Sequence, residues 1–126
     1  MKSVVYDAGV LIAAERNVRR VWADHRVRLE GGIVPLVPAP VVAQVSRSPK
    51  QAQLRRLLRG CDVVAFEEST AHEVGTLLGK VRGKDVVDGA VVALAEARGA
   101  DIVSDDSEDI ERLLIAAGCG ARVLVP

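Results

Sequence analysis

Five short apolar runs alternate with helical patterns from one end of this chain to the other. The runs are Ser3–Tyr6, Ile33–Val37, Asp62–Phe66, Asp101–Ser104 and Arg122–Val125. Each is too short for a helix and most are rich in Val or Ile, the signature of a buried strand. Pro35 lies inside the second run, so that strand belongs at an edge or in an irregular stretch. Helical spacing fills the intervals. Val18–Leu29 carries Val18, Val21 and Trp22, and Pro40–Val45 opens on a proline suited to a first turn. Gln51–Arg59 sets Leu54, Leu57 and Leu58 on one face and Arg55, Arg56 and Arg59 largely off it. Thr70 and Glu73 have capping-box spacing and predict a helix over 71–81. Val86–Arg98 is apolar almost all round, which predicts deep burial. Ile110, Leu113, Leu114 and Ala117 follow helical spacing before Gly118 ends the pattern. Such alternation predicts an α/β fold with a mainly parallel sheet of about five strands. In sheets of that kind, sites form outside the carboxyl ends of the strands.

At 126 residues, the chain has the length of one domain. Its apolar share of 49% and charged share of 27% exclude a disordered chain. Only Tyr6, Trp22 and Phe66 are aromatic, so the core must be aliphatic, and base-stacking sheet modules are disfavoured. No apolar run approaches the roughly 20 residues of a membrane span. Asp7 interrupts what a signal peptide would continue as an apolar stretch, so a cytoplasmic protein is expected. Cys61 and Cys119 form no metal-ligand cluster with His25 or His72, which argues against structural zinc.

The net charge is zero, but it is unevenly placed. Residues 31–61 hold Arg47, Lys50, Arg55, Arg56 and Arg59 with no acid, whereas residues 62–126 hold thirteen acids against six bases. A basic surface and an acidic one suit a polyanion held against carboxylates.

The acids fall where strands end. Asp7 closes the first strand in VVYDAGVLIAA. Asp88 is the sole polar side chain between Val86 and Ala95, in DVVDGAVVALA. Asp105, Asp106 and Asp109 follow the fourth strand in DIVSDDSEDI. Buried carboxylates are costly unless they are paired or bound to a cation. Oxygen ligands without His or Cys point to Mg²⁺ or Mn²⁺. Each acid also has a plain structural use. Asp7 can cap a helix beginning near Gly9, Asp85 and Asp88 suit a helix start, and Asp106 with Asp109 has a cap-like spacing.

On the segments VVYDAGVLIA, PAPVVAQV, DVVDGAVVALAEARGADIVSDD and RVLV, the chain resembles the PIN-domain nucleases, most closely the small VapC-like toxins of toxin–antitoxin pairs. The resemblance implies a single three-layer α/β/α domain over 1–126. It also implies a metal-dependent endoribonuclease, a small antitoxin protein as partner, and a homodimer. It places Asp7, Asp88 and Asp106 as ligands of Mg²⁺ or Mn²⁺ and Asp109 as a group that positions water or orients a ligand. Asp105 would exchange with Asp106 on a one-residue slip. Gln44 stands where the family usually has Glu; its amide oxygen can still coordinate the metal or hydrogen-bond beside it, but it brings no charge. Arg47, Lys50, Arg55, Arg56, Arg59 and Lys84 are candidate phosphate contacts. A catalytically silent PIN-like binding module is the alternative that Gln44 raises. A receiver domain lacks its late lysine here, and a dehalogenase-type phosphatase would need an acid where Gly9 stands.

Overall fold

The structure is a computed structural model that describes Lys2–Pro126. Its elements run β1 (Val4–Tyr6), α1 (Ala8–Glu15), α2 (Arg19–Glu30), β2 (Leu36–Pro38), α3 (Ala39–Val45), α4 (Ala52–Arg59), β3 (Asp62–Val64), α5 (Glu68–Val81), α6 (Val86–Arg98), β4 (Asp101–Val103), α7 (Ser107–Ala117) and β5 (Val123–Leu124). All strand pairs are parallel, in the order β3-β2-β1-β4-β5. The expected α/β class and five-stranded parallel sheet are present. Among the described residues, no helix is long and apolar enough to cross a membrane.

Successive strands β1, β2 and β3 step to one side, whereas β4 and β5 step to the other. Right-handed crossovers then place α1, α2 and α4 on one face of the sheet and α5, α6 and α7 on the opposite face. α1 packs on α2, α3 and α4, while α5, α6 and α7 pack on one another. The result is a three-layer α/β/α sandwich. β1 and β4 lie side by side, and the order reverses between them. At such a reversal point the carboxyl ends of the strands bound a crevice, where a site is expected in sheets of this kind.

The core is aliphatic. Val5, Leu11, Val37, Val41, Val91 and Ile102 are fully buried, and Tyr6 is the one fully buried aromatic. α6 buries Asp88, Gly89, Ala90, Val91, Val92, Leu94 and Ala95, as its near-continuous apolar pattern implied. Gly89 leaves no room for a side chain, because a Cβ there would run into Val74 of α5. Polar groups tie the layers together. Glu15, at the end of α1, accepts from the Leu54 N–H at 2.9 Å and satisfies the first turn of α4. Buried Asp101 accepts from the Arg122 N–H at 2.9 Å and meets Lys2 at 3.1 Å, joining the starts of β1, β4 and β5.

Several local boundaries differ from the sequence pattern. β2 begins at Leu36 rather than Ile33, since Pro35 delays the ladder. β3 ends at Val64 rather than Phe66, and as an edge strand it is largely exposed. α5 starts at Glu68, so Thr70 and Glu73 lie inside the helix and form no capping box. Cys61 and Cys119 are half-buried free thiols.

Candidate functional site

Asp7 follows the last residue of β1. Its N–H donates to the Val103 carbonyl at 3.0 Å, extending the β1–β4 ladder to the sheet's edge. The carboxylate is buried and anchored twice. Oδ1 accepts from the Ala8 N–H at 2.7 Å, and Oδ2 accepts from the Ser104 hydroxyl at 2.7 Å. Ser104 Oγ in turn accepts from the Asp106 N–H at 3.0 Å. One buried hydroxyl thus locks the loop after β4 to the end of β1. Asp7 is also the N-cap of α1, so its structural use is realised alongside its place in the crevice.

Asp88 reaches the same crevice from α6. Asp85 caps that helix, accepting from the Asp88 N–H at 3.0 Å, as its position implied. Asp88 itself is only 6% exposed. Its carboxyl is pushed up to about 7, first by burial and then by the negative charges of Asp85, Asp7, Asp106 and Asp109. The α6 dipole favours the ionised form there, but burial and repulsion outweigh it.

Asp106 and Asp109 come from the start of α7. Asp106 occupies the N-cap position yet makes no side-chain cap bond, so its carboxylate is left for the crevice. Its pKa is raised, by burial first and then by Asp109, Asp7, Asp105 and Asp85. Asp88, Asp106 and Asp109 each offer a carboxylate oxygen, and the three oxygens lie within 4.8 Å of one another. A divalent cation bonded to oxygen at about 2.1 Å separates opposite ligands by roughly 4 Å, so the spacing suits one ion. The donor set, oxygen only and burdened with mutual repulsion, fits Mg²⁺ or Mn²⁺.

The three close oxygens and the ligands implied by the resemblance share Asp88 and Asp106. Asp109, assigned to positioning, belongs to the set of three close oxygens. Asp7, assigned as a ligand, lies outside that set and is held by Ser104 and Ala8. Asp105 is not one of the three: its carboxylate lies where a Cβ on Gly9 would be. Gln44 is exposed on α3 and lines a groove with Ile12, Glu15, Arg16, Val45 and Gln51, none of which belongs to the acidic cluster.

The expected basic contacts divide in the same way. Lys84 lines a cavity of about 310 Å³ beside Asp85, Asp88 and Asp109. Arg112 lines it too, with Nη1 at 3.9 Å from Asp109, a residue the sequence reading passed over. The only signal available for it was its place one turn beyond Asp109. Arg47 instead donates to the carbonyls of Ala43 and Ser46, and Arg55 to those of Ser48 and Pro49. Arg56 lies over the Trp22 ring, 4.5 Å from its centroid. Lys50 and Arg59 are exposed.

An all-parallel α/β/α sandwich of this strand order, with carboxylates gathered at the reversal point, is a PIN-like fold. Solved structures share it. The chain is similar to one in the VapBC2 complex from Rickettsia felis bound to a DNA fragment from their promoter, with a TM-score of 0.72, 14% identity and 98% of each chain covered. It is similar to one in a toxin–antitoxin complex from Klebsiella pneumoniae, with a TM-score of 0.65, 14% identity, and 84% of this chain and 88% of that one covered. FitAcB from Neisseria gonorrhoeae gives a TM-score of 0.64 at 15% identity, with 96% of each chain covered. The likeness is one of fold. No protein-family model and no curated protein matches the sequence.

Proposed function

We propose that this chain is a metal-dependent endoribonuclease and the toxin of a toxin–antitoxin pair. The observation that carries the reading is the meeting of Asp7, Asp88, Asp106 and Asp109 at the sheet's reversal point from three distant segments. The shared fold with chains of toxin–antitoxin complexes supports it. The cluster forms without Gln44, so no structural observation favours a silent binding module.

Asp88, Asp106 and Asp109 would hold a Mg²⁺ or Mn²⁺ ion. Such an ion lowers the pKa of a water and screens the phosphodiester charge. The remaining work falls to the chain. Asp88, whose carboxyl is pushed up to about 7, would be held in its ionised form by such a cation. Ser104 fixes Asp7 and the Asp106 backbone, which keeps the ligand oxygens in place before the ion arrives. Lys84 and Arg112 offer positive charge beside the acids, where phosphates of the chain being cut would lie. Asp7 adds the negative potential that makes a divalent cation preferable to a proton.

The partners follow from the same reading: a single-stranded or looped RNA as substrate, a small antitoxin protein as inhibitor, a second copy of the chain, and the cytoplasm as the compartment. The test is cleavage of single-stranded RNA by purified protein. Cleavage should need Mg²⁺ or Mn²⁺, stop with EDTA, and vanish in Asp88→Asn while the fold persists. Undiminished cleavage in that variant would overturn the site. Growth arrest on expression, relieved by a neighbouring small protein, would support the toxin reading; arrest that no neighbour relieves would reduce it to a nuclease.

A further inference from the structure

A second cavity lies on the other face of the sheet, between α2 and the end of α4. It measures about 620 Å³, and its walls include Trp22, His25, Arg26, Leu29, Arg56 and Gly60, with Glu30 beside Arg26 at 4.0 Å. Three of its features bear on what it can hold.

The first is a donor on a largely buried side chain. His25 is only 3% exposed, and its Nδ1 is 2.8 Å from the Tyr6 hydroxyl. Arg28 Nη1 donates to that hydroxyl at 3.2 Å, so the hydroxyl hydrogen is directed to Nδ1. This assignment leaves the imidazole proton on Nε2. Among the described residues Nε2 has no hydrogen-bond partner, and it opens to solvent through the cavity beside Gly60, since no fully buried polar side-chain atom is left unpaired. The second is the glycine. Gly60 has φ −90° and ψ 0°, a conformation open to any residue. What it spares is space: a Cβ there would stand 3.1 Å from His25 Nε2 and 3.1 Å from Leu29. A side chain at position 60 would close the cavity over the donor. The third is the wall. The sole tryptophan of the chain carries the Arg56 guanidinium on its face, and charges on α4 are all arginine. With Arg19, Arg20, Arg26 and Arg28 against Asp24 and Glu30 on α2, the two helices hold five net positive charges.

A flat aromatic and guanidinium wall, an N–H donor open to the cavity, and Arg26 and Arg56 at the rim of two net-basic helices match the parts of a nucleotide: base, base edge or phosphate oxygen, and backbone charge. A cavity of this volume is ample for one base and sugar. We propose that this cavity is an exosite that takes one unpaired nucleotide of an RNA chain, away from the acidic cluster. It rests on the ribonuclease reading for its choice of RNA.

Trp22 makes the test local, because it is the only tryptophan. A short single-stranded oligoribonucleotide and, separately, the four nucleoside monophosphates are titrated into Asp88→Asn protein with EDTA, following Trp22 fluorescence. The oligonucleotide should give a saturable change. Gly60→Leu, which fills the cavity, and Arg56→Gln, which removes a surface cation and leaves the core untouched, should each weaken binding about tenfold, the scale of one lost base stack. Melting temperature reports on folding in both. In otherwise wild-type protein, the same substitutions should raise KM for RNA and leave kcat unchanged. Absence of a fluorescence change, or equal affinity in Arg56→Gln, overturns the exosite. Mononucleotides that bind as tightly as the oligonucleotide would make it a free-nucleotide site and overturn the RNA assignment. A fluorescence response without any cleavage by wild-type protein would instead sink the nuclease reading and leave the cavity assigned.

Discussion

Replacing Asp88 by Asn should stabilise this protein at alkaline pH while abolishing its metal-dependent activity. The reasoning starts from a buried carboxyl held up to about 7 against an ordinary 3.8. Between those values the folded state keeps a proton that the unfolded chain releases. Where the folded state binds more protons, stability falls as pH rises, so the loss begins near pH 4 and is complete above about pH 8. The full span is worth about 4 kcal/mol, at 1.36 kcal/mol for each unit. About two of those units lie between pH 5 and pH 7, or roughly 2–3 kcal/mol, a large share of a typical stability of about 5–15 kcal/mol. Asn cannot ionise and so escapes this loss. Urea denaturation in EDTA at pH 5 and pH 8 measures it: the advantage of Asp88→Asn over wild type should grow by about 2–3 kcal/mol between the two. Mg²⁺ should then restore stability to the wild type at pH 8 and do much less for the variant, since a ligand stabilises only the state that binds it. An advantage equal at both pH values, or a wild type indifferent to Mg²⁺, would refute the account of a site built with surplus negative charge.

Other outcomes follow from single contacts. Ser104→Ala removes the donor to Asp7 and the acceptor for the Asp106 N–H, and should cost about 1.5–3 kcal/mol in thermal or urea unfolding. It should also weaken Mg²⁺ binding in calorimetry; unchanged metal affinity would show that the serine only holds the fold. For Asp101, burial acts to raise the pKa, but the Arg122 N–H and the Lys2 ammonium outweigh it and hold the carboxyl below the ordinary range. That stability is present above the unfolded pKa and is lost as pH falls through the folded one. Asp101→Asn should therefore be about 1–3 kcal/mol less stable than wild type at pH 7, with the gap closing in acid. Gln44→Glu places a charge in the groove beside Glu15 and Arg16, apart from the cluster. Calorimetry with Mg²⁺ and Mn²⁺ should show a shift below about 0.7 kcal/mol, the size of a solvated surface charge. A tightening of about 1–3 kcal/mol, that of a charge-assisted contact, would bring position 44 into the ligand set.

The α/β class and the strand ends where acids gather were legible in the sequence because they rest on local periodicity, whereas the three layers were implied by the family resemblance. Short Val- and Ile-rich runs alternating with helical patterns suit a covered parallel sheet, and Asp7 and Asp88 stand out as lone charges in apolar surroundings. Asp85 could be read as a cap because a cap is decided within one turn of helix. The identity of the oxygens that gather at one point was decided by tertiary structure alone. Asp7 and Ser104 lie 97 positions apart and meet only because β1 and β4 are neighbours in the sheet. Once Ser104 and Ala8 claim Asp7, the third close oxygen comes from Asp109, a choice that no spacing rule contains. The same holds for the basic residues. Arg47 and Arg55 have the same charge as Lys84, but theirs is turned to nearby carbonyls and that of Lys84 lies beside the acids. Gly60 would pass in sequence for an ordinary helix end. Only the packing of His25 and Leu29 against it shows that the missing side chain holds a cavity open. Periodicity is a property of neighbours along the chain, whereas the position of a charge or a void depends on which distant elements the sheet order brings together.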